Sequence, residues 1–249
     1  MIIIKSKSEL ELMKEAGRIV AGALEAVKKA IAPGVTTAEL DEIARDYILS
    51  KGATPAFKGY QGYPANICAS INDQVVHGIP GPTPLKEGDI VSIDIGAFYK
   101  GYCGDAARTY PVGKVSVEAL ELIKVTKEAF FRGLEFARKG YRVSDISHAI
   151  QSYVEQRGYS VVKALVGHGI GQEMHEEPQV PNFGPPGRGP RLREGMTLAI
   201  EPMVNQGTDQ VRFLDDGWTV VTQDGSLSAH YEHTIAITKD QPLILTQGE

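Results

Sequence analysis

Two ten-residue segments of the sequence resemble each other, and each of them ends in an acidic residue. The first segment ends at Asp94 and the second, 107 positions later, at Glu201. Apolar and polar residues alternate before Asp94, which is typical of a β-strand with one buried face. Glu201 takes the same place in its own segment, so both acidic side chains should point away from the apolar face. We expect two related strands that each present one carboxylate to a shared site.

A second acidic residue follows in each half of the chain. Asp105 comes after the glycine-rich turn of a predicted hairpin, which would bring its carboxylate beside that of Asp94 on the neighbouring strand. Glu232 is predicted to enter an alternating strand in the same way as Asp105. Two ionised carboxylates at such a distance repel each other and require a cation, a shared proton or solvent. Arg108 could be that cation, so a salt bridge and a metal site are both open at this point.

Three histidines are candidates for the same chemistry. His168 lies among alternate glycines in 167–171, a pattern that argues against a helix and lets the backbone pass close to a neighbour. In a buried strand, His168 would be a neutral nitrogen ligand. His175 lacks the second histidine, four residues on, that a helical zinc motif requires. His77 by itself is more often a packed or surface residue, and it becomes a candidate only beside the other groups.

Composition narrows the class of protein. The 249 residues are 42% hydrophobic and 23% charged, as in an ordinary globular protein. The net charge is -5 and basic residues alternate with acids, which argues against a nucleic-acid partner. The two cysteines, Cys68 and Cys103, are expected to be reduced thiols. The apolar run 2–4 is too short for a signal peptide or a membrane span, which predicts a cytoplasmic protein without a membrane partner.

Four amphipathic helices are predicted to support the strands. Apolar spacing places them within residues 8–32, 34–52, 116–138 and 140–158. Thr36 and Glu39 form the capping-box signature of the second helix. Segments 34–52 and 140–158 match in helical phase at an offset of 106, so the duplication extends beyond the two strands.

The duplicated elements predict one α+β domain over 1–249, with pseudo-symmetric halves at about 1–112 and 113–249 and the acids near the pseudo-twofold axis. Four neighbouring carboxylates without counter-ions would have strongly raised pKa values and would destabilise the fold. Two divalent cations remove this problem, and oxygen ligands with one imidazole suit Mn, Fe, Co or Zn. Such a pair of metals polarises a carbonyl group and activates water, which predicts metal-assisted hydrolysis.

On these residues the chain resembles the type I methionine aminopeptidases, whose pita-bread fold is shared with prolidase, Xaa-Pro aminopeptidase and creatinase. The most specific matching motifs are Ser92-Ile93-Asp94, Gly167-His168-Gly169-Ile170-Gly171, Met174-His175-Glu176-Glu177-Pro178, Ile200-Glu201-Pro202 and Tyr231-Glu232-His233-Thr234. The resemblance implies an antiparallel sheet flanked by helices. It also implies a cytoplasmic, monomeric enzyme that removes the N-terminal methionine from nascent chains at the ribosome when the second residue is small.

The resemblance implies roles for the polar residues. The ligands of two divalent metal ions would be Asp94, Asp105, His168, Glu201 and Glu232. Asp105 and Glu232 would bridge the two metals, and Glu201 would also shuttle a proton. His77 would contact the scissile amide nitrogen, and His175 would contact the carbonyl oxygen.

A methionine pocket is implied as well. It would be formed by Tyr60, Tyr63, Cys68, Met174 and Trp218. Met174 stands where many relatives have phenylalanine, and Phe57 stands where a relative may have cysteine, so the degree of methionine selectivity is open. The resemblance also implies a monovalent cation beside backbone oxygens near Asn72 and Ser228.

Other functions of the same fold predict a different sequence. Prolidases and Xaa-Pro aminopeptidases have the same five ligands but add a large N-terminal domain, whereas the first predicted helix here begins near Ser8. The type II enzymes carry a long insertion where only 30 residues separate Glu201 from Glu232. A binding module that had lost its metals should lack some of the five ligands, and all five are present.

Overall fold

The computed structural model describes residues 1–248, which form four long helices around antiparallel strands. The helices are α1 (Lys7–Ala30), α2 (Thr37–Ser50), α3 (Val117–Leu134) and α4 (Val143–Glu155), and a short 3-10 turn covers Tyr60–Gly62. The strands β1 to β15 are, in chain order, Thr54–Pro55, Cys68–Ile71, Gln74–Val76, Ile90–Tyr99, Tyr102–Pro111, Ser160–Val161, Gly167–Gly169, Glu176–Val180, Thr197–Ile200, Met203–Asn205, Val211–Phe213, Val220–Thr222, Ser228–His230, His233–Ala236 and Leu243–Ile244.

The helix ends follow from side-chain caps. Thr36 and Glu39 form the predicted capping box at the start of α2, and Ser6 caps α1 in the same way. The third helix ends at Leu134 and not near residue 138 as predicted. The chain tightens there into i to i+3 hydrogen bonds, such as the one from the Phe136 N–H to the Gly133 carbonyl at 3.0 Å.

The first half is built on the long hairpin β4–β5. Its strands pair without a break from Ile90 opposite Pro111 to Tyr99 opposite Tyr102, and β1 and β2 also pair with β4. The prediction that one face of this strand is exposed was wrong. Ser92 is 3% exposed, and its hydroxyl shares a 2.8 Å hydrogen bond with that of Thr109, because the second half of the chain covers the polar face.

The second half contains a related arrangement that is interrupted at both acids. Glu201 lies between β9 and β10, and Glu232 lies between β13 and β14. β10 pairs with β13, whereas β9 pairs with β14 in a five-stranded sheet with the order β15-β14-β9-β7-β8. Pro202, which has no N–H to donate, follows Glu201 at the break. The predicted continuous strand through Glu232 was therefore wrong.

Two large apolar cores lie beneath the helices. One is formed by buried residues between positions 19 and 112, where α1 covers β4 and β5 and α2 packs on α1 and β1. The other is formed by residues from 119 onward together with Ile90, where α3 and α4 pack on the second half. The division of a single domain at residues 112 and 113 stays a prediction. Within residues 1–248, none of the helices has the length and apolar character needed to span a membrane.

Candidate active site

Every residue that the sequence assigned to the site borders one cavity of about 180 Å³. Its lining is Phe57, Tyr60, Gln61, Tyr63, Cys68, His77, Asp94, Asp105, His168, Met174, His175, Glu201, Trp218 and Glu232. The acids and His168 form one end of this cavity, and aromatic and sulfur-containing side chains form the other. Phe57 was noted from the sequence only as a departure from relatives, and Gln61 was not predicted.

The hairpin brings the first two acids together as predicted, but on a diagonal. Asp94 pairs with Ala107, and Asp105 pairs with Gly96, so the two carboxyl groups are two positions apart on one face of the hairpin. Their Oδ1 atoms are buried and have no hydrogen-bond partner among the described residues. These orphaned oxygens are acceptors for which residues 1–248 supply no donor.

Arg108 does not neutralise these carboxylates. Strand alternation turns it to the opposite face of β5, where its guanidinium donates to the Ala107 carbonyl at 2.7 Å and contacts the His233 ring, with Nε2 at 2.7 Å. It also stacks over the Tyr231 ring at 4.2 Å from the centroid. The salt-bridge alternative for Asp94 and Asp105 was therefore wrong.

The glycines around His168 are explained by strand packing. A Cβ atom at Gly167 would collide with the Ala199 carbonyl, and one at Gly169 would collide with the Glu177 carbonyl. The His168 Nδ1–H donates to the Gly169 carbonyl at 2.9 Å, so in this tautomer the Nε2 lone pair faces the acids. Burial lowers the pKa of His168 to about 3, so the ring is neutral at pH 7.

All four acids are in surroundings that raise the pKa of a carboxyl group. Burial raises the pKa of Asp94 to about 6 and that of Glu201 to about 8. It also raises the pKa values of Asp105 and Glu232 well above their usual range, and the neighbouring carboxylates raise them further. At pH 7 a bound cation is what would keep all four ionised.

The donor set fits divalent cations. One ligand atom each from Asp105, His168 and Glu232 lies within 4.8 Å of the other two, and all three residues are buried. The Glu232 Oε1 atom is a third orphaned carboxylate oxygen, and Glu201 Oε1 lies 3.5 Å from His168 Nε2. Carboxylates with one imidazole are ligands for Mn, Fe, Co or Zn. The structure thus brings the five predicted ligands to one end of the cavity.

The apolar end of the cavity is fixed by buried hydrogen bonds. The Tyr63 hydroxyl lies within reach of the Ile67 carbonyl at 3.0 Å and the Gly78 carbonyl at 3.1 Å, and its ring meets Trp218 edge-on with centroids 5.0 Å apart. Cys68 pairs with Asp94 across β2 and β4, which places its side chain at the junction of the two ends. Cys68 and Cys103 are both unpaired thiols, as predicted.

Two histidines outside the acid cluster border the same cavity. The Nδ1 atom of His175 lies 2.6 Å from the Tyr60 hydroxyl, and its ring is 4.2 Å from that of His168. His77 has a φ of 60°, a left-handed conformation that is uncommon for a residue with a side chain and is concentrated at functional sites. Burial lowers the pKa of His77 to about 4 and also lowers that of His175, so both rings are neutral at pH 7.

His230 was missed by the sequence analysis. It is 2% exposed, its Nε2 atom has no hydrogen-bond partner among residues 1–248, and this atom lies 3.7 Å from Glu201 Oε2. Burial lowers the pKa of His230 to about 4. The available signal was its position two residues before Glu232, which would place both on one face of an extended segment.

Comparison with known proteins decides the family. Residues 11–239 match the model of metallopeptidase family M24. The chain belongs to metallopeptidase family M24. Peptidases of this family use divalent metal ions, and the buried cluster described above is suited to hold them.

The similarity of this M24 chain to individual proteins extends over its whole length. It is 60% identical to a methionine aminopeptidase of Clostridium acetobutylicum, over 100% of both chains. It is 57% identical to methionine aminopeptidase 1 of Bacillus subtilis, over 99% of this chain and 100% of the relative. Relatives with these names confirm the resemblance inferred from the motifs.

Solved M24 structures confirm the fold. Methionine aminopeptidase from Thermotoga maritima superposes with a TM-score of 0.98 at 50% identity, covering 99% of this chain and 100% of that one. Prolidase from Pyrococcus furiosus superposes with a TM-score of 0.80 at 26% identity. This superposition covers 99% of this chain but only 66% of the prolidase chain. The predicted α+β pita-bread architecture is correct.

Proposed function

We propose that the chain is a methionine aminopeptidase that removes the first residue from polypeptides whose second residue is small. The observation that carries this proposal is that an apolar pocket and a cluster of four acids share one cavity of about 180 Å³. A first side chain bound in the pocket would place its peptide bond beside the acids. Relatives that are 57–60% identical and carry the name methionine aminopeptidase support this choice.

The acid end is proposed to hold two divalent cations. The five ligands would be Asp94, Asp105, His168, Glu201 and Glu232, with Asp105 and Glu232 shared between the two ions. Bound cations would supply Lewis-acid activation for hydrolysis of a peptide bond. The metal would be Co, Mn, Fe or Zn. A monovalent cation near Asn72 and Ser228 is also proposed, where the Ser228 N–H donates to the Asn72 carbonyl at 2.9 Å.

The protein side chains would handle the protons. Glu201, kept ionised by the bound cations, would take a proton from the attacking water and pass it to the leaving amine. When the Tyr60 hydroxyl donates to Nδ1 of His175, the neutral ring carries its proton on Nε2, from which it can donate to the scissile carbonyl oxygen. His77 would contact the amide nitrogen from a ring held 6.4 Å from that of Trp218.

The apolar end would select the first side chain. Sulfur contacts with aromatic rings stabilise a thioether by about 0.3–1.5 kcal/mol each, and rings line this end of the cavity. The lining residues proposed to contact methionine are Tyr60, Tyr63, Cys68, Met174 and Trp218. A bulky second residue would displace the scissile carbonyl, and a misplacement of about 1 Å can lower the rate on the order of 10²-fold.

Peptide hydrolysis tests this proposal. With saturating metal, Met-Ala-Ser should be cleaved at least about tenfold faster than Met-Leu-Ser in kcat/KM, a gap of roughly 1.4 kcal/mol. Leu-Ala-Ser should be cleaved far more slowly than either peptide. Equal values of kcat/KM for Met-Ala-Ser and Leu-Ala-Ser would contradict the assignment of the methionine pocket and leave the metal assignment standing.

The cellular setting is part of the proposal. Substrates would be the N-termini of nascent polypeptides, met at the ribosome in the cytoplasm by a monomeric enzyme. The single-domain organisation over 1–249, with halves at about 1–112 and 113–249, is proposed on the same basis. A nucleic-acid partner and a membrane partner are not part of the proposal, since the net charge of -5 and the interleaved charges argued against the first.

A further inference from the structure

A second cavity of about 760 Å³ lies on the face of β5 opposite the acid cluster. Arg108 and Tyr110 of β5 contribute to its lining, as do residues of α1, α2, α3 and the segment 244–248. Cavities of a few hundred to about 1,000 Å³ are the size in which proteins bind small molecules. None of the residues proposed for peptide hydrolysis borders this cavity.

The cavity contains a partly buried cation without an acidic partner. Arg108 donates to the Ala107 and Glu232 carbonyls and contacts His233, all of which are neutral groups. No carboxylate of residues 1–248 forms a salt bridge with it, and burial lowers its pKa from the usual value. A guanidinium that is removed from water is stabilised most strongly by a carboxylate or phosphate, which accept from it in pairs.

Most of the charged side chains that border this cavity are cations. Lys127 of α3 borders the cavity and forms no salt bridge within residues 1–248, and Lys51 lies 5.3 Å from the Tyr47 ring centroid. Arg18 and Glu25 also border the cavity, but each is paired with a neighbour on its own helix, Arg18 with Glu15 at 2.7 Å and Glu25 with Lys28 at 3.5 Å. Within residues 1–248, three cations that border this cavity therefore form no salt bridge, and the one lining acid is paired with Lys28.

Aromatic side chains form a further part of the lining. They include Tyr47, Tyr110, Phe131 and Tyr231. Flat rings of a ligand stack on such side chains, and a hydroxyl from a tyrosine can donate to a phosphate oxygen. The combination of unpaired cations with aromatic walls differs from a purely ionic surface patch, because it also accommodates the uncharged part of an organic anion.

We propose that this cavity binds a small phosphate ester that carries an aromatic ring, with its phosphate on Arg108 and Lys127 and its ring against the tyrosines. The phosphate accounts for the unpaired guanidinium, and the ring accounts for the aromatic lining. The Arg108 guanidinium also donates to the carbonyl of Glu232. A ligand on Arg108 would therefore be separated from the acid cluster only by this side chain.

Isothermal titration of the metal-loaded protein with adenosine 5′-monophosphate, inorganic phosphate and adenosine tests the proposal. We expect the monophosphate to bind more tightly than inorganic phosphate, and adenosine to bind most weakly. The Arg108→Gln change should weaken binding of the monophosphate by about tenfold or more, the scale of one hydrogen bond to a charged group. Absence of saturable binding by both the monophosphate and phosphate would overturn the proposal, as would equal binding of adenosine.

Matched variants locate the binding. Lys127→Gln should weaken binding several-fold, whereas Lys124→Gln on the same helix should not, because Lys124 is exposed and paired with Glu121 at 3.6 Å. Lys127→Gln also serves if Arg108→Gln fails to fold. Asp94→Asn alters the acid cluster and should leave binding unchanged. Equal weakening by Lys124→Gln and Lys127→Gln, or loss of binding in Asp94→Asn alone, would place the ligand elsewhere and refute the proposed site.

Discussion

The Nε2 atom of His230 lies 3.7 Å from the Oε2 atom of Glu201, and no residue in the described part of the chain is within hydrogen-bond reach of that nitrogen. The other carboxylate oxygen of Glu201, Oε1, lies 3.5 Å from Nε2 of His168. Glu201 thus has an imidazole beside each oxygen. A distance of 3.7 Å is too long for a hydrogen bond, so a small shift of the carboxylate would be needed to complete one.

The first prediction concerns this pair. Replacing His230 with Ala should lower kcat on Met-Ala-Ser by about 10- to 100-fold, because a hydrogen bond to a charged group contributes roughly 1.5–3 kcal/mol. His230→Gln retains an N–H donor and should recover most of the rate. Steady-state kinetics with saturating metal, together with the metal content of each variant, provide the measurement. Unchanged kcat in His230→Ala would show that the two groups do not interact during turnover.

A second prediction concerns the contact of 2.6 Å between Tyr60 and His175. His175→Ala should lower kcat by about 10²- to 10⁴-fold, the range for a positioned proton donor or oxyanion donor. Tyr60→Phe removes only the group that orients the imidazole and should cause a smaller loss. Metal content should persist in both variants. If His175→Ala instead emptied the metal site, His175 would belong among the ligands.

The third prediction is dependence on divalent metal. Treatment with a chelator should abolish hydrolysis of Met-Ala-Ser, and Co, Mn or Fe should restore it, because the acid cluster has no other counter-ion among the described residues. The metal content should be measured on the same samples by elemental analysis. Full activity in protein shown to be metal-free would rule out the proposed mechanism.

The fourth prediction is the pH dependence of stability in chelated protein. Burial raises the folded-state pKa of Asp94 from 3.8 to about 6 and that of Glu201 from 4.5 to about 8. Below about pH 6.5 the buried histidines oppose these acids, because their lowered pKa values leave the folded state with fewer protons than the unfolded state at those rings. Above pH 6.5 the folded state still holds a proton on Glu201 that the unfolded state has lost, so the free energy of unfolding should fall as pH rises from about 6.5 to about 8. Denaturant titrations at several pH values measure this slope.

Controls for the pH experiment follow from the same groups. Chelated Glu201→Gln should show a shallower fall, because the substituted amide does not titrate. Metal-loaded protein should show little dependence over this range, since bound cations keep the carboxylates ionised. A slope that is the same in chelated protein and in chelated Glu201→Gln would contradict the assignment of a raised pKa to Glu201.

Patterns between residues that are close in the sequence were sufficient to predict the β4–β5 hairpin and the start of α2. Strand alternation and the hairpin turn placed Asp94 and Asp105 on one face, and the capping box located the start of α2 at Thr36. The glycines around His168 were interpreted from the sequence as letting the backbone pass close to a neighbour, and at Gly167 and Gly169 that neighbour is the backbone of a paired strand. These features depend on neighbours along the chain or across one hairpin.

Features that depend on distant contacts were not predictable. The strand break at Glu232 results from a change of pairing partner between β10 and β9, and no local pattern marks it. His230 gained its significance only when folding placed it beside Glu201. Arg108 seemed a counter-ion for Asp105 from its proximity in sequence, yet strand alternation turns it to the other face. The resemblance to a known family supplied the roles that spacing alone left open.

The acid cluster draws its members from both halves of the chain, with Asp94 and Asp105 on β4 and β5 and Glu201 and Glu232 at the breaks of the second half. During synthesis the first pair of carboxylates therefore leaves the ribosome more than a hundred residues before the last acid is available. The early segment cannot complete a dinuclear centre. A site that needs all four acids can therefore be loaded with metal only after the second half of the chain has been made.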